Sequence, residues 1–162
     1  MNFFSYVFQD WNRNKRNRKG QFVTALFRLA ACINNNIFSR VIFFPYLIFY
    51  RFFVEWVLGI ELPWRTKVGP GLVIWHGQST ILNRDVVIGE NCTIRHSTTI
   101  GEAKYNGGSP VIGNNVDIGA NVCIVGEISI GDNVIISIGS VVIKSVPSNS
   151  LVGGNPAKYI AN

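Results

Sequence analysis

Charge is scarce in this sequence: Asp, Glu, Lys and Arg make up 15% of its 162 residues, and histidine occurs only twice. With 48% hydrophobic residues, so little charge excludes a disordered chain. The length admits one domain, or a domain with a helical appendage. Cys32, Cys92 and Cys123 are odd in number and have no CxxC spacing, which excludes a disulfide frame and a cysteine metal site. They read as reduced core thiols of a cytoplasmic protein. Also missing are a Walker loop, a dinucleotide fingerprint, a nucleophile elbow, a Cys–His pattern and a metal-ligand cluster. Met1 leads into a polar, basic segment without an apolar core or cleavage pattern, so no secretory signal is expected. Long apolar runs are absent too. The uninterrupted run Val41–Tyr50 is bracketed by Arg40 and Arg51, with Glu55 beyond, whereas a membrane span needs about 20 apolar residues.

The formal charge of +6 is uneven. Arg13, Lys15, Arg16, Arg18 and Lys19 form a run opposed nearby only by Asp10. A solvated loop is the favoured reading. Anionic lipid headgroups or an anionic substrate are the sharper ones. Nucleic acid is disfavoured, because no nucleic-acid motif accompanies the run.

What the sequence does have is a period of six. Ile88, Ile94, Ile100, Ile112, Ile118, Ile124, Ile130, Ile136 and Val142 share one phase. The vacant slot near Asn106 falls in AKYNGGSP, an excursion over residues 102–111 that leaves the repeat and rejoins it in register. Cys92, Thr98, Val116, Val122, Val134 and Ser140 recur four places after the aliphatic residue. No α-helix has a period of six, and an isolated strand has a period of two. Short strands joined by tight Gly and Asn turns, wound into a parallel β-helix, fit this period. The β-helix is expected over residues 61–146. It begins with a looser phase at Leu62, Val68 and Ile74, then slips by two residues before Ile88. After Lys144 the period is lost, and 147–162 read as a terminal turn and tail.

Residues 1–60 read as helical. Asn2–Trp11 is aromatic and short, and Gly20 closes the basic segment that follows it. Phe22, Leu26, Leu29 and Ile33 fall at helical spacing before the breaker Asn34-Asn35-Asn36. Ile37, Val41, Phe44, Ile48 and Phe52 continue the pattern, with Pro45 kinking it or starting a fresh helix. The aromatic load from Phe43 to Trp56 suits a cap on the open end of the β-helix, the favoured reading, or peripheral contact with the inner face of the membrane.

The two histidines carry the candidate chemistry. His76 and His96 each lie two residues after an in-phase isoleucine, and their separation of 20 is three hexads plus the slip. If a coil is three hexads, the imidazoles face one another in adjacent coils, about 4.8 Å apart. A histidine can take a proton from an attacking hydroxyl. A carboxylate on its other nitrogen would fix the tautomer, and Glu61, nearly one coil upstream, is placed to supply it. Direct transfer from a bound donor to an acceptor hydroxyl is the simplest reaction class.

The repeat, the lead-in GIELPWRTKVGPGLVIWHG, the loop GEAKYNGGSP and the tail VPSNSLVGGNPAKYI resemble the serine acetyltransferase branch of the left-handed β-helix acyltransferases. Within that branch, RHSTTIGE and the compact N-terminal helices are similar to the short colanic-acid and capsule-type polysaccharide O-acetyltransferases. The resemblance implies a homotrimer that binds acetyl-CoA in the groove between neighbouring subunits. It makes His76 the catalytic base and puts Glu61 in the place of its partner aspartate. It also puts Gly101 and Ala120 along the pantetheine channel, and Lys158 near the nucleotide phosphates. Ile138 stands in that channel where a small residue is usual.

Other departures concern the acceptor. Serine acetyltransferases carry an Arg-His pair that helps hold the amino acid's carboxylate, where this chain has Gly108-Ser109-Pro110. His96 stands where they have Gln. A neutral sugar hydroxyl needs no carboxylate clamp, so His96 and Ser109 are candidate acceptor contacts. The leading expectation is an acetyl-CoA-dependent O-acetyltransferase acting on a sugar hydroxyl of a bacterial surface polysaccharide. Serine O-acetylation in cysteine biosynthesis is the alternative, and a catalytically silent trimeric scaffold is a third.

Overall fold

A computed structural model of the chain describes residues 2–160; the last two residues of the expected tail, and Met1, lie outside them. From Ile60 onward the chain winds through strands of two or three residues that form three sheets. The first sheet stacks Ile60–Glu61, Thr80–Leu82, Thr99–Gly101, Cys123–Val125 and Val141–Val142. The second stacks Lys67–Val68, Val87–Ile88, Val111–Ile112 and Ser129–Ile130. The third stacks Val73–Trp75, Thr93–Arg95, Asp117–Ile118, Ile135–Ile136 and Leu151–Gly153. Consecutive strands visit the three sheets in turn, so three strands make one coil of a left-handed parallel β-helix.

The six-residue period is the reason for this shape. Each in-phase residue sits directly over its counterpart one coil away: Ile74, Ile94, Ile118, Ile136 and Val152 form one ladder, and Leu82, Ile100, Ile124 and Val142 another. These ladders, with Cys92, Thr98, Val116, Val122, Val134 and Ser140 beside them, are buried and fill the narrow core. The excursion leaves after Gly101 and returns with Ile112 paired to Ile88, in register, although Val111 already belongs to the strand. Asn91, Asn115, Asn133 and Asn149 occupy one corner at φ between 55° and 62°, a region that Asn tolerates better than other residues with a Cβ. Their amides bond along the corner: Asn115 Nδ2 donates to Asn133 Oδ1 at 3.1 Å, and Asn133 Nδ2 to Asn149 Oδ1 at 2.9 Å.

The end of the coil extends further than the period predicts. Val146 bridges to Ile130, and Leu151–Gly153 pairs with Ile135–Ile136. Lys158–Tyr159 then folds back antiparallel onto Leu151–Gly153. Val146 lies only four positions after Val142, so the phase shifts by two there; Val146 to Val152 is again six, and the sequence hides a last strand that the register still accommodates.

The first coil exposes an edge in each of the three sheets, and the helical lead-in closes all three with polar side chains. Helix α1 (Phe3–Val7) is short, and α2 (Arg18–Asn34) starts on the N-cap Asn17. Gly20 therefore lies inside α2 and does not close the basic segment. Asp10 and Arg28 are 1% and 2% exposed and form an ion pair at 2.8 Å. Arg28 also donates to the carbonyls of Val68 and Gly69, both at 2.6 Å, capping the second sheet. Asp10 accepts from the amides of Gly71 and Leu72, while Asn14 and Asn17 donate to the carbonyls of Leu72 and Ile74, capping the third. Tyr50 donates to the carbonyl of Leu62 at 2.7 Å at the end of the first sheet. Burial, with Glu55 and Tyr46 adding, pushes this phenol well above its ordinary range, so it remains a donor. Each such edge group left buried without a partner would cost roughly 1–3 kcal/mol. Asp10 is thus committed inside and does not oppose the basic run.

The remaining helices are α3 (Ile37–Ile42), α4 (Phe44–Tyr50) with Pro45 in its first turn, and a π-helical segment Arg51–Val57. Pro45 starts a fresh helix, because its missing N–H costs nothing in a first turn. The apolar stripes differ from the expected ones. In α2 the buried face runs through Val23, Phe27, Ala30 and Ile33, leaving Phe22 half exposed. Ile37, Val41, Phe44, Ile48 and Phe52 all face outward, and the buried positions are Leu47, Tyr50 and Val54. Of the aromatic load, Tyr50 is fully buried in the cap, and Tyr46 and Phe53 are partly buried against the core. Phe43, Phe44, Phe49, Phe52 and Trp56 are exposed.

Candidate active site

The two-residue slip in the sequence marks one corner. Between the in-phase residues Ile74 and Leu82 the chain takes two residues more than between Ile94 and Ile100. The surplus lies in the turn His76-Gly77-Gln78-Ser79, where His76, Gly77 and Ser79 have φ of 63°, 72° and 56°. Gly77 is required there, since a Cβ would meet Ile60 Cδ1 at 2.7 Å and Ile74 Cγ2 at 2.8 Å. The Gly77 amide donates to the Trp75 carbonyl and the Ser79 amide to the Gly59 carbonyl, both at 2.7 Å. This pinned turn carries His76 on the surface.

Trp75 pairs with Arg95, so the next residues, His76 and His96, face each other across adjacent coils. Their rings lie 5.6 Å apart, centre to centre, in an edge-to-face arrangement. Both are exposed, and the spacing matches the expected one-coil separation. The corner continues downward. Ile74, Ile94, Ile118 and Ile136 stack, so the residues two places on, His76, His96, Ala120 and Ile138, occupy one column in four successive coils. The His96 carbonyl accepts from Asn121, and the Ala120 carbonyl from Gly139. Lys158 pairs with Gly153 at the foot of the third sheet. From the His76 coil to the Gly153 coil is four strand spacings, about 19 Å. One edge of the prism thus runs from two imidazoles at the top to a lysine at the base, with Ala120 and Ile138 between.

Gly101 and Ser109 lie elsewhere. Gly101 ends its strand at the next corner, on the far side of the first sheet, where the excursion emerges. Gly108 packs against Glu127, whose Cβ and Cγ lie 2.5 Å from where a Cβ on Gly108 would sit. The Ser109 hydroxyl is buried beside it without a hydrogen-bond partner. Within one chain, the candidate residues therefore form two groups on two different corners.

Glu61 is exposed on the top strand of the first sheet, opposite Ile81, and no hydrogen bond or ion pair joins it to His76. It lies near Glu55, whose carboxyl is pushed up by burial, pulled down by Arg51 and pushed up again by Glu61. The expected imidazole–carboxylate contact is not formed in this arrangement of the chain.

Neither Arg95 nor its partner is singled out by sequence reasoning. Arg95 makes a two-pronged ion pair with Asp117, and its guanidinium also donates to the Ile118 carbonyl at 3.2 Å. It thereby ties the strand leading to His96 to the coil below. The signal was available: the two opposite charges flank in-phase isoleucines that lie one coil apart, one after Ile94 and one before Ile118.

No protein-family model matches the chain. Curated relatives do. The chain is 41% identical over 124 residues to the putative colanic acid biosynthesis acetyltransferase WcaB of Escherichia coli, covering 76% of each chain. It is 40% identical over 106 residues to serine acetyltransferase 2 of Arabidopsis thaliana, covering 64% of this chain and 33% of that protein. Among solved structures, the serine acetyltransferase of Brucella abortus in complex with coenzyme A superposes with a TM-score of 0.83 at 26% identity, covering 99% of this chain and 68% of that one. The chain belongs to the hexapeptide-repeat acyltransferases, in the branch of the serine acetyltransferases and WcaB, and is an acetyltransferase that draws on acetyl-CoA.

Proposed function

We propose that the protein transfers acetyl from acetyl-CoA to a sugar hydroxyl in the biosynthesis of a bacterial surface polysaccharide, with His76 as general base. The observation that carries the acceptor choice is the neutral corner Gly108-Ser109-Pro110. Its Ser109 hydroxyl is buried without a hydrogen-bond partner, and it has no cation to hold a carboxylate. A site without a bidentate cation loses much of its affinity for a small zwitterion, whereas a sugar is unaffected. The 41% identity to WcaB supports the same reading. Serine O-acetylation is the second reading, favoured by the likeness to the solved serine acetyltransferases.

In the proposed step, His76 takes the proton of the acceptor hydroxyl as its oxygen attacks the thioester carbonyl. The tetrahedral adduct collapses, the C–S bond breaks, and the thiolate of CoA takes the proton back from the imidazolium. His96, one coil below, and Ser109 contact the acceptor. Glu61 steadies His76 once substrate has closed the site. Ala120 and Ile138 line the pantetheine arm, Gly101 lines its far side, and Lys158 meets the nucleotide phosphates. Because Gly101 and Ser109 lie on a different corner from the histidine column, one chain does not bring all of these residues around one groove. A homotrimer, in which that corner meets the histidine column of the next subunit, completes the site. The enzyme is placed in the cytoplasm, where acetyl-CoA is supplied.

The test is release of the CoA thiol by the purified protein, comparing L-serine with nucleotide sugars and polysaccharide fragments. Turnover with a saccharide and none with millimolar serine supports the proposal. Turnover with serine at that concentration overturns the acceptor assignment.

A further inference from the structure

From Ile37 to Val57 the lead-in exposes eleven large apolar side chains, among them Phe38 at 75% and Trp56 at 76%. This face contributes almost nothing to the cap. A cleft of about 500 Å³ opens on it, lined by Phe44, Phe52 and Trp56 and by three arginines, Arg40, Arg51 and Arg65. Arg40 Nε is buried without a hydrogen-bond partner, as is Asn34 Oδ1 in the same lining. The guanidinium of Arg51 lies 4.9 Å from the ring centre of Trp64.

Charge decides what covers this face. Residues 1–67 hold ten Lys and Arg against three Asp and Glu, and residues 68–162 hold five against six. The entire positive excess thus belongs to the lead-in and the first coil. Glu55 is the one acid in α3, α4 and the π-helical segment. A second copy meeting this face with its own would set arginine against arginine. An anionic lipid surface complements both features, taking the aromatic and aliphatic side chains at the acyl boundary and the guanidinium groups at the phosphates. No helix among the described residues is long and apolar enough to cross a membrane, which suits helices lying in the interface plane.

We propose that α3, α4 and the π-helical segment dock the enzyme on an anionic bilayer. The exposed basic run at Arg13, Lys15, Arg16 and Arg18 adds long-range attraction, and the surface holds the site near lipid-anchored acceptors. This docking is independent of which hydroxyl the site acetylates, and its test reads lipid binding alone.

The full chain is sedimented with vesicles of phosphatidylglycerol and phosphatidylcholine, and separately with phosphatidylcholine alone, at low and high salt. The proposal expects partition onto the anionic vesicles, at least tenfold weaker onto neutral ones, and weakened by salt. The double variants Phe38→Ser/Val41→Ser and Arg40→Gln/Arg65→Gln should each lose at least tenfold in partition. Their circular dichroism and thiol release to a soluble acceptor should stay unchanged. Failure of the unmodified chain to partition overturns the proposal, and so does equal binding to neutral vesicles. Self-association that Phe38→Ser/Val41→Ser abolishes would make a second copy the occupant, and overturns it too.

Discussion

The β-helix and its helical lead-in invert one another. In the β-helix, isoleucine and valine fill the interior and charge stays outside. In the lead-in, an aspartate, an arginine and two asparagines are buried while phenylalanines and a tryptophan face outward. The difference lies in what each part must satisfy. A coil meets another coil through side chains of like shape, so one aliphatic position repeated every sixth residue suffices. The lead-in meets the top coil through an apolar face that includes Val23, Phe27, Leu47 and Val54, and also through unpaired backbone groups. Only polar side chains satisfy the latter.

The strongest way to break the comparison is to remove one member of the buried pair. Arg28→Ala leaves Asp10 charged and two strand carbonyls unpaired. It should cost about 3–5 kcal/mol, read as a fall in the unfolding midpoint. If the cap mattered less than the coil, this loss would be smaller than that of Ile118→Ala. Truncating that ladder isoleucine should cost about 3 kcal/mol, because neighbouring coils hold the cavity open. Asn133→Ala removes an amide ladder and puts Ala at φ 57°, for about 1–2 kcal/mol. Phe38→Ser should change stability by no more than about 0.5 kcal/mol, since the side chain faces outward. A large loss there would mean that the face is an interface within the folded protein.

The coil was legible in the sequence because each of its contacts repeats. The six-residue phase and the in-register excursion follow from counting along Ile88 to Val142, and the facing of His76 and His96 from carrying the count back through the two-residue slip to Ile74. The lead-in was not legible in the same way. Hydropathy placed Ile37, Val41, Phe44, Ile48 and Phe52 inside, but these helices turn Leu47, Tyr50 and Val54 to the core. The edge amides and carbonyls that Asp10, Asn14, Asn17, Arg28 and Tyr50 cover are not recorded by hydropathy. Asp10 read as a counter-ion to the basic run because its partner, Arg28, lies 18 residues on, in the next helix. Leu151–Gly153 was missed because the corner between Val142 and Val146 is two residues short, which shifts the phase while the pairing survives. Of the candidate site, the facing of His76 and His96 follows from counting coils, whereas Ala120 and Ile138 came from the resemblance and join that column in the assembled sheets. That Gly101 and Ser109 lie on another corner emerges only once the three sheets are assembled.

The most direct measurement is thiol release by His76→Ala with acetyl-CoA and the acceptor that turns over best, alongside circular dichroism, sedimentation and the Glu61→Gln variant. With His76 as the base, His76→Ala should lose at least about 100-fold in kcat with fold and assembly unchanged. Glu61→Gln should lose less. Turnover by His76→Ala within a few-fold of the unmodified enzyme would contradict the general-base assignment and move the chemistry away from this corner.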